Sequence, residues 1–497
     1  MSTVQAILDD AIEWKTWTSD AGMLAFLTDL QSNILKGHGR DYTANIFLSF
    51  EGMPQEKISA LLQTLSYLTT SALDQLRAAA AYSATKVSGG RVLCVFLTAN
   101  GYQRLGVAQS DMPADLAFRA GMQARGALPS LRFKNIPVDF PGINDPARSG
   151  WERGGPWDPG KGNPDAMVLI ADDDAGLVSA GVNSLKDAFM DAGVTVLGVD
   201  RGEAQRRRQL NGSPKGEGLE HFGYVDGVSQ PLFLVEDFRA NPAWSEAFVP
   251  SQFIVPDPAK CTPFSCGSYF VYRKLEQNVQ LFKKQEEELA AALKLTGNDE
   301  ERAGALVVGR FEDGTPVALH PEGQAGVPTN DFNYAGDNQS DPLTATCPFK
   351  AHIRKTNPRT AGDDNERAHI MARRGITYGK RNRESVDEDF SDHDQPTGKV
   401  GLLFMAYMSD IAEQFEFTQS AWANNTNFKI QNTGVDPVIG QQPNGPADIA
   451  WTDAITASSA MFDFKAAVKL MGGAYFFAPS ISFLQKGQRP IAVAALQ

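Results

Sequence analysis

An α+β fold built from two βαββαβ units is what this 497-residue sequence predicts, and three observations carry the prediction. The length exceeds what one ordinary core accommodates, so two domains or a repeated unit is expected. A unit of short apolar strand, turn and amphipathic helix recurs four times along the chain. Two of these units fall in each half, and strands alternating with helices in this way give sheets covered by helices on one face.

The first unit is ANIFLSFEG followed by EKISALLQTLSYL (44–68), and the second is AMVLIADDD followed by GLVSAGVNSLKDAF (166–189). The third runs from SYFVYRKL into EQNVQLFKKQEEELAAALKL (268–295), and the fourth from VGLLFMAYMSD into IAEQFEFTQSAW (400–422). Val, Ile, Leu, Phe and Tyr fill the strands, while the helical parts follow a period of about 3.6. GRVLCVFLTA (90–99) and AYFFAPSISFL (474–484) read as further strands that complete the sheets. Gly, Pro, Arg and Asp dominate 141–165 and 196–220, which read as long loops, as does 310–347. The pattern is that of two ferredoxin-like domains. They divide near residue 235, into 1–235 and 236–497.

A net charge of −13 argues against nucleic acid as a partner, because phosphate binding requires a basic face. No apolar stretch reaches the roughly 20 residues needed to cross a bilayer. The first twenty residues lack a basic start and a long apolar core, the expectation for a cytoplasmic protein. Cys94, Cys261, Cys266 and Cys347 form neither CxxC nor CxxCH, which excludes zinc-ribbon and covalent c-type haem readings. Cys261 and Cys266 are read as free thiols. Gly-Pro-Trp-Asp-Pro-Gly-Lys-Gly (155–162) fits GxxxxGK but lacks the Ser or Thr of a P-loop and carries two prolines, so it reads as a loop. Arg206, Arg207 and Arg208 read as a solvated loop face. The acidic run 384–394 offers hard oxygen ligands for Mn²⁺ or Ca²⁺, with a solvated loop as the alternative.

Six histidines could each ligate a metal: His38, His221, His320, His352, His369 and His393. Asp226 lies in Gly-Tyr-Val-Asp-Gly (223–227), which by itself signals a turn. Arg373 lies in Arg-Arg-Gly-Ile-Thr-Tyr-Gly (373–379), where either arginine of the pair could point inward. A carboxylate, an imidazole and a guanidinium are the groups that peroxide chemistry at a haem iron requires.

These segments, in this order, resemble the dye-decolorizing peroxidases, haem enzymes whose signature is Gly-x-x-Asp-Gly. The resemblance also takes in LQSNILKG (30–37), CPFKAHIRKTNPR (347–359) and GGAYFFAPSISFL (472–484), and its length is that of the family's larger subgroup. It implies two ferredoxin-like domains, with haem b held in the C-terminal domain facing the domain interface. His352 then supplies the axial ligand, its other N–H given to Asp436. Asp226 is the distal acid–base and Arg373, the first of its pair, stabilises O–O cleavage. Arg359 is the implied partner of a haem propionate, with Arg354 and Lys355 as alternatives. Gly227 lets the backbone pass close to the porphyrin, and Leu403 and Phe404 wall the distal pocket.

The implied reaction reduces hydrogen peroxide and oxidises dyes, phenols or similar small aromatic donors through a ferryl–porphyrin radical. A carboxylate base, with an ordinary pKa of about 3.9, places the expected optimum below neutral pH. Dyes too bulky for the pocket would pass electrons through a surface aromatic, with Trp422 and Tyr378 as candidates. The alternative is a haem carrier or storage protein that uses the same His352. A haem-dependent oxidase or dismutase on a similar fold, and a haem-free structural pair, are further rivals. Monomer and dimer are both compatible with the sequence.

Overall fold

Each half of the chain contributes four strand positions to one ten-stranded antiparallel sheet. The architecture comes from a computed structural model that describes residues 2–497 apart from 208–215, 228, 241–247, 325–329, 335–344, 361–362, 382–394, 442–448 and 487–497. The first half supplies β1 (Tyr42–Ser49), β2 (Val92–Leu97), β3 (Ala166–Asp172) and β4 (Thr195–Glu203). Helices α1 (Gln55–Ser66) and α2 (Ala175–Ala192) follow β1 and β3. The second half supplies β5 (Cys266–Gln277), the short β6 (Ala372–Arg373) and β7 (Ile376–Tyr378), β8 (Gly401–Met408) and β9 (Val468–Ala478). Its helices include α3 (Val279–Ala292), α4 (Glu301–Val308) and α5 (His352–Thr356).

The strand order across the sheet is β6-β8-β5-β9-β2-β3-β1-β4, with β7 also paired to β8. In each half the third strand lies between the second and the first, and the fourth lies beyond the first. This is the order of two ferredoxin-like units side by side. They join where β9 pairs with β2 at Phe477 and Leu97. The sheet curls until its ends meet: Thr377 Oγ1 on β7 donates to Glu203 O on β4 (2.5 Å), and Gln205 N–H donates to Thr377 Oγ1 (3.2 Å). That closure covers edges that would otherwise present unpaired backbone groups.

Rings from both halves fill the interior. Phe96 meets Phe270 at 4.4 Å and Phe47 meets Tyr272 at 5.1 Å. Such pairs contribute about 0.5–1.5 kcal/mol each beyond simple burial. The two halves therefore share one apolar core.

Two segments differ from the sequence reading. Residues 196–220 are not one long loop, because β4 occupies Thr195–Glu203 and a hairpin pairs Gln205–Arg207 with Glu217–Leu219. Gly198, Asp200, Arg201 and Gly202 disguise β4 as a loop. Yet a side chain at Gly202 would strike Ile376 on β7. The stretch 474–484 is not one strand either. Pro479 ends β9, and Ser480 caps a short helix, Ile481–Gln485, by accepting from Phe483 N–H (3.2 Å).

The fourth helical segment forms, but with wide turns at Ala412–Glu416 and Thr418–Ala423. The loop 155–162 is a loop, packed by Trp157 Nε1 donating to Asp200 (2.9 Å) and Lys161 Nζ donating to Leu197 O (2.6 Å). All four cysteines are free thiols. The run 384–394 and Arg208 lie outside the described residues. Among the described residues no helix is long and apolar enough to cross a membrane.

Candidate active site

A cavity of about 520 Å³ opens against the second half of the sheet. Leu275 on β5, Leu402 and Phe404 on β8, and Leu470 on β9 give it an apolar wall, and His352, Asp226, Gly227, Arg359 and Arg373 line it as well. Its size falls within the roughly 300–1,000 Å³ of ordinary ligand sites.

His352 is the first residue of α5, a helix that Asn357 and Pro358 terminate after little more than one turn. Its Nδ1 lies 2.8 Å from Asp436 Oδ2. Asp436 is itself buried and fixed, because its Oδ1 accepts from the N–H groups of Val438 (2.8 Å) and Ile439 (3.0 Å). A carboxylate so placed holds the imidazole proton on Nδ1 and leaves the Nε2 lone pair available.

Asp226 ends a tightly bonded loop. Glu220 accepts from the N–H groups of Phe222 (2.8 Å) and Tyr224 (2.9 Å) and from Gln277 Nε2 (2.5 Å). Gly223 and Gly227 both adopt positive φ, +102° and +80°. A side chain at Gly227 would meet no atom within 4 Å, so backbone conformation rather than space calls for glycine there. Arg373 Nη1 stands 3.7 Å from Asp226 Oδ1, and both side chains are about one-third exposed, 33% and 36%. Arg373 Nη2 donates to Ser229 O (2.8 Å), which holds the guanidinium at the cavity. Arg374 turns the other way and donates to Asn33 O (2.8 Å) and Ile34 O (2.9 Å) in the first half.

Arg359 is the cavity-lining cation of its segment. It donates to Asn330 O (2.7 Å), Asn330 Oδ1 (3.1 Å) and Ser229 Oγ (2.9 Å), while its buried Nε has no hydrogen-bond partner. Arg354 and Lys355, the alternatives, do not line the cavity. Arg354 stacks on Phe349 (3.8 Å) and Tyr334 (4.4 Å). Lys355 is buried against Asn425 O (2.7 Å) and Phe428 O (2.8 Å), and burial pushes its ammonium down to about 7.

Leu403 does not wall the pocket. On a strand the side chains alternate between faces, and Leu403 is fully buried in the core while Leu402 and Phe404 face the cavity. Trp422 and Tyr378 are not surface aromatics, being 3% and 8% exposed. Trp422 packs among His369, Phe417 and Phe428, and Tyr378 lies beneath the Lys274 ammonium at 5.1 Å.

Sequence reasoning missed Arg310 and Glu220. Arg310 shares Asn330 Oδ1 (3.0 Å) and Ser229 Oγ (3.3 Å) with Arg359. Burial and the neighbouring Arg359 and Arg373 charges press its guanidinium down to about 10. Glu220 faces the cavity, and burial raises its carboxyl to about 7. Arg310 sits in a Gly-Arg-x-x-Asp-Gly turn, whose basic residue carries no sign in sequence of being buried.

Residues 232–431 match the model of the Dyp-type peroxidase C-terminal region. The chain is 42% identical to the multifunctional dye peroxidase DyP2 of Amycolatopsis sp., across 96% of this chain and 99% of that protein. It is 30% identical to peroxidase 2 of Mycetinis scorodonius, across 94% and 88%. The solved DyP-type peroxidase of Anabaena sp. superposes with a TM-score of 0.83 at 35% identity, over 98% of this chain and 100% of that one. On this likeness the chain belongs to the DyP-type peroxidase family of haem enzymes.

Proposed function

We propose that this protein binds one haem b in the cavity beneath β8 and reduces hydrogen peroxide with electrons from dyes, phenols or similar aromatic donors. The observation that carries the reading is the convergence of His352–Asp436, Asp226 and Arg373 on one apolar-walled cavity. The donor set fits haem: a histidine with its second nitrogen committed, and an arginine whose buried Nε awaits an acceptor. His352 would hold the iron, Arg359 a propionate, with Arg310 beside it. When bound, the haem supplies the two-electron redox chemistry.

The chain's own residues handle protons and charge. Asp436 keeps the Nδ1 proton of His352 in place and raises the basicity of Nε2. Asp226 takes a proton from the near oxygen of hydrogen peroxide and returns it to the far oxygen, so that water leaves. At 3.7 Å from Arg373 its contact is electrostatic rather than a hydrogen bond; Oδ1 accepts from Gly227 N–H (2.6 Å), and Oδ2 is the oxygen left to meet peroxide. The Arg373 guanidinium stabilises the negative charge that develops as the O–O bond breaks. Leu402 and Phe404 keep that side of the cavity dry, which strengthens both effects.

The test is the optical spectrum of haem-reconstituted protein before and after one equivalent of peroxide, beside Asp226→Asn. The Soret band is expected to lose intensity quickly in the wild type, and slower by about 10²-fold or more in the variant. A Soret band indifferent to peroxide would move the function to haem carriage, and a protein that takes up no haem would refute the reading.

A further inference from the structure

The segment LQSNILKG (30–37) belongs to the first half, and none of its residues lines the cavity. It nevertheless reaches the segment that carries Arg373. Arg374 Nε donates to Asn33 O (2.8 Å) and Nη2 to Ile34 O (2.9 Å). Nη1 turns back on its own chain and donates to Arg373 O (2.8 Å). One guanidinium thus joins three carbonyls, two from the first half and one from Arg373 itself.

A second observation shows that these acceptors are held in place. Asn33 is fully buried and adopts positive φ, +68°. Its N–H donates to Gln75 Oε1 (2.6 Å), and its Oδ1 accepts from His38 N–H (3.0 Å). Gln75 Nε2 also donates to Lys36 O (2.7 Å), so the helix Ala72–Thr85 grips the loop at both ends. On the other side, Arg373 N–H donates to Gln230 Oε1 (3.1 Å) and Arg374 N–H to Met405 O (2.6 Å). Burial and the adjacent Arg373 charge press the Arg374 guanidinium down to about 10. A cation so placed is costly unless its donors are satisfied, and the carbonyls that satisfy it are those that fix the Arg373 backbone.

We propose that Arg374 is a positioning residue for Arg373: it staples the Arg373 carbonyl to the Asn33–Ile34 turn. The first half thereby sets where the distal guanidinium of the second half stands over the cavity. The inference rests on the peroxidase reading and deepens it by naming what aims the distal charge. The Arg373 tip is held by Ser229 O (2.8 Å), so a shift of its backbone strains that bond and moves the guanidinium relative to Asp226. At a site of this kind a misplacement of about 1 Å can cost about 10²-fold.

The experiment is an optical titration of haem-reconstituted protein with fluoride, an anion whose hold on ferric iron depends on distal donors. Melting temperature and the Soret response to peroxide are followed in parallel. Arg374→Met removes all three donors and keeps the stem, whereas Arg374→Lys keeps the charge without the fork. Both are expected to weaken fluoride about tenfold, the effect of losing one aligned charge-assisted hydrogen bond. Asn33→Ala strains the left-handed turn and Asn33→Gly does not, so the alanine variant is expected to bind fluoride more weakly than the glycine one. Should Arg374→Met fail to fold, this pair decides alone. A lowered melting temperature with wild-type fluoride affinity in Arg374→Met overturns the staple, as does equal affinity in the two Asn33 variants. Wild-type affinity in Arg374→Lys would assign the effect to charge alone and overturn it too. A wild-type Soret band that ignores peroxide overturns the peroxidase reading and the staple's purpose together.

Discussion

The two halves of this molecule share one strand order but cover their strands differently. In the first half every residue of β3 is buried, and Val168, Leu169 and Ile170 have no exposed surface on either face of the sheet. In the second half β8 alternates near its start, with Leu402 and Phe404 half-buried and Leu403 fully buried. The cavity accounts for the difference. Between β1 and β2 the chain inserts about forty residues that carry α1 and a second helix, Ala72–Thr85, whereas between the equivalent β5 and β6 it inserts about ninety residues that carry α3, α4 and α5. That longer excursion stands off the sheet and leaves room for a ligand, while the first half closes on itself. Two units of one topology thus divide into a packed scaffold and a hollow site.

This division can be broken by mutation. Arg373→Leu in the hollow half should lower the rate of reaction with peroxide by about 10²–10³-fold, the usual cost of one preorganised donor. Stopped-flow measurement should find that loss with little change in melting temperature. A large stability loss would mean that Arg373 also holds the fold. Ile170→Ala in the packed half should cost about 2–5 kcal/mol of stability through the cavity it leaves. Leu402→Ala should cost about 1 kcal/mol, because its side chain already borders open space. Equal costs, read from denaturant titrations of the haem-free protein, would erase the contrast between the halves.

The smallest effect concerns Glu220, in the loop that presents Asp226. Its folded carboxyl titrates near 7, above the ordinary 4.5, mainly through burial. Between those values the folded state keeps a proton that the unfolded state has lost, so stability falls as pH rises. Because the group faces a water-accessible cavity, the effect is screened to about 1 kcal/mol. Glu220→Gln should therefore flatten the fall in melting temperature of haem-free protein between pH 5 and 8. A variant whose slope matches the wild type would show that Glu220 does not titrate there.

The comparison also bears on what could be read in advance. The four strand–helix units were legible because apolar runs followed by period-3.6 segments record local geometry. The edge strand β4 was not, since its glycines and charges answer to β7 and to Trp157 rather than to their chain neighbours. Asp226, His352, Arg373 and Arg359 line one cavity, and Asp436 lies behind His352. Trp422 failed as a surface aromatic because the helix that carries it packs under residues 131–143 and 428.

By itself the sequence determined the succession of strands and helices, the loop character of 155–162 and the segments from which the site is drawn. Tertiary structure decided which of two adjacent residues faces the cavity: Arg373 rather than Arg374, Leu402 and Phe404 rather than Leu403. Neighbours in a strand point to opposite faces, but a run apolar on both, such as Gly-Leu-Leu-Phe-Met-Ala-Tyr, carries no phase. Only the partner strands and the long excursion over the second sheet supply it.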